Sequence, residues 1–397
     1  MSHRYDYLII GSGIMGLSLA KIIHEQKPNA TIAILDKEKG EAHHASSRNS
    51  GVLHAGFYYT SDSLKAKLTI EGNRALKDYC RQKNIPVNEC GKLVVAQNEE
   101  ELQALYKLEE RGRANGSGVR LIDAGEATEI EPNVRTHKKA LYSPQTASVN
   151  PAEVCKAIRH DLEQRGVKFH FGTQFLSRQK NVVQTNQGDF EAAVVINCAG
   201  LYADRIARHY GFGLVYTMIP FKGIYLKYTK NKTDIRTNIY PVPNLKNPFL
   251  GVHFTKTAAG EIKIGPTAIP ALWRENYEGI SNFNASELGE IAYHQLLMFV
   301  TNANGFRRLA FEESRKYNKT YFIQLASQLV QSIDPAGFTE FTAPGIRAQL
   351  LNKKTFQLVQ DFVVEGDDKS VHILNAVSPA FTCSFPFAKY VVEKYLK

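Results

Sequence analysis

The chain has 397 residues, 43% of them hydrophobic and 22% charged, and its 49 Lys and Arg against 39 Asp and Glu give a formal charge of +10. That length exceeds one typical core and predicts about two to three domains, while the ordinary composition and a mean hydropathy of -0.29 exclude a disordered or fibrous chain. No run of about 18 apolar residues predicts a transmembrane span, and five cysteines without a CxxC spacing indicate neither a disulfide framework nor a zinc site. No metal is expected, and a reducing, cytoplasmic compartment fits the cysteine usage. The positive charge favours anionic partners, whether a small acid, a lipid surface or a nucleic acid.

Taken in chain order, "YDYLIIGSGIMGLSLAKII" begins with a β-prone run over Tyr7 to Ile10. Gly11, Gly13 and Gly16 then form GxGxxG, opening a helix with apolar residues at Ile14, Leu17, Ile22 and Ile23. Gly11 permits the sharp turn, Gly13 lets backbone approach a pyrophosphate, and Gly16 packs helix on strand. The amides around Ile14 and Met15 and the helix dipole hold the phosphate charge. A second strand, "TIAILDK", brings Asp36 about 20 residues past Gly16, followed by Lys37. An acid there favours an adenosine ribose with free hydroxyls. The glycines alone leave FAD and NAD both open. No second GxGxxG occurs, so one nucleotide site is expected.

"SSRNSGVLHAGFYYTSDSLKAKL" follows, Ser46 to Leu68. Ser46, Ser47, Asn49 and Ser50 offer short donors, Arg48 a charge-assisted one, and Gly51 and Gly56 give room. A helix is expected only from about Ser61 to Ser63. "NEEELQALYKLEERGRANG" reads as a charged helix. The stretch 166–207 contains a strand around Phe175, a polar hairpin with "NQGD", and the apolar strand "AAVVINCAG". Its small-residue end at Ala199 and Gly200 suits close approach to a cofactor, the alternative being an ordinary core strand with a tight turn. His253 lies on a predicted strand in "FLGVHFT", and Arg347 lies in "APGIRAQLL". The tail from Val371 reads as strand, Pro-containing turn and helix.

These segments together resemble the D-amino-acid-oxidase-like FAD-dependent oxidoreductases, and more narrowly the L-2-hydroxyglutarate oxidase or dehydrogenase family. "NSGVLHAGFYY", "FLGVHFT" and "GIRAQ" carry the narrower likeness, whereas GxGxxG and "NCAG" mark only the superfamily. The chain departs from the family pattern at Ile224, after "PFKG", and at Phe381, Phe385 and Phe387, where smaller residues are usual.

The resemblance implies an α/β fold: an FAD-binding Rossmann-like, three-layer ββα domain over 1–88, 144–210 and 341–397, and a mixed-sheet α+β substrate domain over 89–143 and 211–340. It implies an extended strip from Ser46 to Gly56 running along the flavin, and Ser378, Pro379, Ala380 and Thr382 placing small donors and a helix N-terminus at flavin N1 and O2, where they would stabilise reduced flavin. A capped surface helix is the alternative for that tail.

Oxidation of a 2-hydroxy acid needs a base for the hydroxyl proton, and an imidazole with a pKa of about 6.5 suits it. His54 is the first candidate and His253 the second, or a substrate orienter. Arg347 suits a carboxylate held bidentately, with Lys222, Tyr58, Tyr59 and Tyr225 lining the rest; adjacent tyrosines point to different sides, so one of the pair is expected to face substrate. The implied activity is oxidation of L-2-hydroxyglutarate, or a close 2-hydroxy acid, with electrons passed to oxygen or a quinone. An amine or amino-acid oxidase on the same fold is the nearest alternative. A flavoprotein acting on tRNA is disfavoured because the basic residues are scattered, so no nucleic acid is expected. Charge alone is compatible with peripheral contact at the inner face of a membrane.

Overall fold

A computed structural model describes residues 3–230, 235–243 and 249–396. The chain forms two compact units: Met1–Asn49, Pro151–Pro220 and Arg347–Lys397 make the first, and Ser50–Asn150 and Phe221–Ile346 the second.

The first unit is built on parallel strands. Strand His3–Ile10 pairs in parallel with Ile32–Leu35 on one side and with the long strand Gly188–Asn197 on the other. Lys168–His170 extends one side, and Ser370–Asn375 lies parallel to the end of Gly188–Asn197. Buried Leu8, Ile10, Ala33, Leu35, Val195 and Phe190 pack into one cluster, as expected when parallel strands are covered on both faces. The first half of Gly188–Asn197 pairs antiparallel with Val182–Thr185, which pairs with Phe175–Gln179. The polar "NQGD" stretch forms this hairpin turn. Helix Ile14–Gln26 packs against Pro151–Gln164 and Ala380–Tyr395.

The second unit is an eight-stranded mixed sheet with the spatial order 338–341, 226–228, 262–265, 253–256, 238–241, 92–95, 139–143 and 120–123. Its core holds Leu93, Val95, Ile239, Phe254, Ile264 and Phe338. The charged helix expected near residue 98 is Glu99–Ala114. Asn98 caps it by accepting from the Glu101 amide at 2.9 Å, and three glutamates occupy its first turn.

Two expectations need correction. Residues 50–88 belong with the second unit, because Val52–Leu53 pairs with Ala147–Val149, which pairs with Val87–Asn88. The other junctions lie at 150/151, 220/221 and 346/347. Ser46–Gly56 is also not one extended strip. The Ser47 and Arg48 amides both donate to the His44 carbonyl, so the chain is coiled up to Asn49 and is a strand only at Val52–Leu53. The following helix, Leu64–Gln82, starts where sequence placed it: Ser63 caps it by accepting from the Ala66 amide at 3.1 Å.

Candidate active site

The nucleotide cradle lies in the first unit. Gly11 has φ +105°, and a Cβ there would stand 2.5 Å from the Cys198 carbonyl oxygen. A Cβ on Gly16 would stand 2.0 Å from the Gly11 carbonyl oxygen, and one on Gly13 2.9 Å from Ser46 Oγ. All three contacts lie below normal van der Waals separation, so side chains are excluded where a pyrophosphate needs bare backbone. The first turn of Ile14–Gln26 carries no acidic residue, leaving its positive end for an anion. Ser46 Oγ accepts from the Ile14 amide at 2.9 Å, so Ser46 trims this helix start while Met15 and Gly16 are buried in its first turn.

Asp36 is fixed at the end of its strand. One carboxylate oxygen accepts from the Ser12 amide and hydroxyl at 2.7 and 2.6 Å, and the other from the Glu38 amide at 2.9 Å. Lys37 pairs with Glu38 and stands over the Tyr202 ring. Ser47 donates to the Ala42 carbonyl, Arg48 to that of His43, and Asn49 to those of Ala45 and Ser46. These three side chains shape the loop itself.

The Ala199–Gly200 turn is held by Asn197, the first residue of the "NCAG" segment. Its Oδ1 accepts from the Ala199 amide, and its Nδ2 donates to the Ala203 carbonyl and to His372 Nδ1. Burial lowers the His372 pKa to about 4, so that imidazole is neutral and can accept. Phe175 packs its ring edge-on against His209 at 5.2 Å.

Ala380–Tyr395 begins just after Ser378 and Pro379, with Thr382 buried and no acid in the first turn. Phe385 and Phe387 are core residues of this unit: Lys21 stands over Phe385, and Phe387 packs on Phe362 at 4.6 Å. These family departures are matters of packing. Arg347 opens the last segment of the unit and is half-buried. Ser50 and Gly51 fall in the second unit, where the Gly51 carbonyl accepts from the Val149 amide.

The second unit gathers the remaining candidates. Tyr58 and Tyr59 lie in a turn rather than on a strand, so they do not point to opposite sides. Both join one aromatic cluster, edge to face at 6.5 Å. Burial pushes the Tyr58 phenol well above its ordinary range. His54 is buried, and its main chain is clamped: Asn73 Nδ2 lies 3.1 Å from the Leu53, His54 and Gln145 carbonyl oxygens. Asn115 Nδ2 holds the Gly56 and Tyr59 carbonyls at 2.9 Å.

His253 stacks on Tyr240 at 3.6 Å with the planes 17° apart. Its Nδ1 lies 2.8 Å from the Gly251 carbonyl oxygen, which can only accept. Nδ1 therefore carries the hydrogen and Nε2 the lone pair. Burial drives the His253 pKa down to about 3, not the ordinary 6.5 expected from sequence, with Lys92, Lys263 and Lys316 adding to the shift. Lys263 Nζ stands 4.6 Å over the Tyr225 ring and has its pKa lowered by burial to about 8. Lys222, 8% exposed, sits opposite Ile269 and is also lowered by burial. Neither Lys263 nor Tyr240 has a motif in the sequence. The only signal is a polar or ionisable residue at a strand position whose neighbours are buried.

The family described as FAD dependent oxidoreductase (DAO) matches residues 6–394, so the chain belongs to that family of flavin-dependent oxidoreductases. FAD is accordingly its cofactor, and the residues of the cradle fit it. Among curated relatives, it is similar to L-2-hydroxyglutarate dehydrogenase of Indibacter alkaliphilus, at 36% identity over 99% of this chain and 99% of that protein. It is also similar to proteins of the same name from Escherichia coli, at 35% identity covering 98% and 93%, and from mouse mitochondria, at 34% covering 97% and 87%. Solved structures share the fold: FAD-bound L-alpha-glycerophosphate oxidase from Mycoplasma pneumoniae has a TM-score of 0.77 at 20% identity, covering 98% of this chain and 94% of that one. Glycine oxidase from Geobacillus kaustophilus has a TM-score of 0.72 at 19% identity, covering 99% and 94%.

Proposed function

We propose that the protein oxidises L-2-hydroxyglutarate to the 2-oxo acid, the electrons passing on to oxygen or a membrane quinone. The observation that carries this reading is the similarity, at about one-third identity over nearly the whole chain, to relatives named for that activity. When bound, the flavin supplies the acceptor for the substrate's α-hydrogen and its electron pair.

The chain's own residues supply the rest. His253, neutral and with Nε2 as acceptor, is preferred here to His54, the first candidate from sequence, as the group that takes the hydroxyl proton. His54 is the competing acceptor. Within the second unit Lys263 and Lys222 offer cationic donors to substrate carboxylates, and Arg347 of the first unit keeps the bidentate carboxylate role that its residue type suits. Tyr58, Tyr59 and Tyr225 wall the site and exclude water. Among the described residues no helix is long and apolar enough to cross a membrane. A quinone acceptor therefore implies contact at a membrane surface, which the charge of +10 favours where lipids are anionic.

Anaerobic mixing of the FAD-loaded enzyme with L- and D-2-hydroxy acids and amino acids tests the reading. L-2-hydroxyglutarate should bleach the flavin and yield 2-oxoglutarate, and its D enantiomer should not. Bleaching by an amino acid in its place would move the protein to the amine oxidases. His253→Gln should slow bleaching by the true substrate more than His54→Gln; the reverse order would exchange the two roles.

A further inference from the structure

Lys92 is a buried cation without a counter-ion. It opens the strand Lys92–Val95, is 0% exposed, and its Nζ has no hydrogen-bond partner among the described residues. Nor does any carboxylate pair with it among them. Three aromatic rings surround it: Nζ stands 4.1 Å from the Tyr240 centroid, 5.3 Å from that of Tyr58 and 5.6 Å from that of Phe57. Ring quadrupoles attract an ammonium but do not replace the hydration that burial removes. Burial accordingly brings the lysine from its ordinary 10.5 down to about 7.

The sheet order explains what the charge faces. Asn238–Pro241, which carries Tyr240, lies between Lys92–Val95 and His253–Lys256. Tyr240 is thus sandwiched between the Lys92 ammonium on one side and the His253 imidazole on the other. The titratable groups facing this row are the Cys90 thiol and the phenols of Tyr58, Tyr59 and Tyr225, with Lys263 and Lys316 on the His253 side. Lys316 is itself paired with Glu313. Among the described residues no group that is anionic at neutral pH offsets Lys92 in the row.

We propose that Lys92 is a positioning residue for His253: a caged cation that acts across the Tyr240 ring to keep the imidazole neutral, with Nε2 held as proton acceptor. The inference rests on the reading of His253 as the acceptor. As pH falls through about 7, Lys92 takes up a proton, and its charge then opposes protonation of the histidine. A unit charge about 8 Å away at an effective dielectric of about 20 moves a titration by roughly one to two pH units. Added to the burial that already depresses the imidazole, this charge moves the loss of the neutral acceptor to lower pH by that amount.

Lys92→Met removes the charge and keeps the approximate volume. In the FAD-loaded enzyme, the acid limb of kcat/KM and the His253 ring signal, followed by NMR with isotope-labelled histidine and assigned with His253→Gln, should both move about one to two units to higher pH. In the His253→Gln background Lys92→Met should move no limb. Unchanged titration in Lys92→Met, or an equal shift of the limb in both backgrounds, overturns the inference. If instead His253→Gln keeps the parent acid limb and turnover, the acceptor assignment has failed, while the NMR titration still reports on Lys92 alone. Should Lys92→Met not fold, the parent protein decides: a His253 ring that protonates near the ordinary 6.5 refutes the proposal.

Discussion

Asn73→Leu tests how the His54 segment is held. The Asn73 amide has two hydrogens and serves three carbonyl oxygens, those of Leu53, His54 and Gln145, each at 3.1 Å. Gln145 keeps a second donor, since Lys77 Nζ reaches the same oxygen at 2.8 Å. The substitution therefore strips a donor from the Leu53 and His54 carbonyls, both in buried residues. A buried acceptor losing its donor costs about 1–3 kcal/mol, and leucine fills nearly the same volume, so cavity cost is small. We expect a loss of about 2–4 kcal/mol, read as a lower urea midpoint, with faster hydrogen exchange concentrated in residues 52–59. A displacement of about 1 Å there should also lower kcat by on the order of tenfold to a hundredfold. An Asn73→Leu protein with parent exchange in 52–59 and parent midpoint would show that this amide does not hold the segment.

Three further outcomes follow from the geometry. Gly16→Ala places a Cβ 2.0 Å from the Gly11 carbonyl oxygen, so purified protein should carry little FAD by absorbance and melt lower. Ser46→Ala removes the acceptor for the Ile14 amide and should cost about 1 kcal/mol, seen as a several-fold weaker FAD affinity in fluorescence titration. Lys92→Met should raise thermal stability even as it alters the pH profile. The folded-state pKa of Lys92 is depressed from 10.5 to about 7, so its penalty is fully present below pH 7 and fades as pH rises to 10.5. That penalty is on the order of 5 kcal/mol, and denaturation at pH 6.5 and 9.5 should show the variant's advantage shrinking with rising pH.

Much of the nucleotide-binding unit was legible because its signals are local. The turn at Gly11, the helix beginning at Ile14 and the acid at Asp36 all fall within one strand–helix–strand unit, where spacing alone sets geometry. The Ser63 cap was readable for the same reason. The destination of residues 50–88 was not, because it depends on Val52–Leu53 pairing with Ala147–Val149, nearly a hundred residues away. Periodicity marks a strand without naming its partner.

The surroundings of His253 divide in the same way. His253 stood out by residue type and by its place in "FLGVHFT", and its role as a candidate needed no coordinates. Its neutral state needed them, since a pKa near 3 arises from burial and from lysines brought in by other strands. Lys92 is one polar residue before an apolar run, "KLVVA", and nothing local marks it. Only the parallel pairing of Lys92–Val95 with Asn238–Pro241, about 146 positions on, sets its ammonium against Tyr240 and, through that ring, against His253. Sequence by itself determined the cofactor cradle, whose chemistry is backbone turning and helix polarity. Tertiary structure decided the charge state of His253, because electrostatics in a dry interior depends on which distant elements meet.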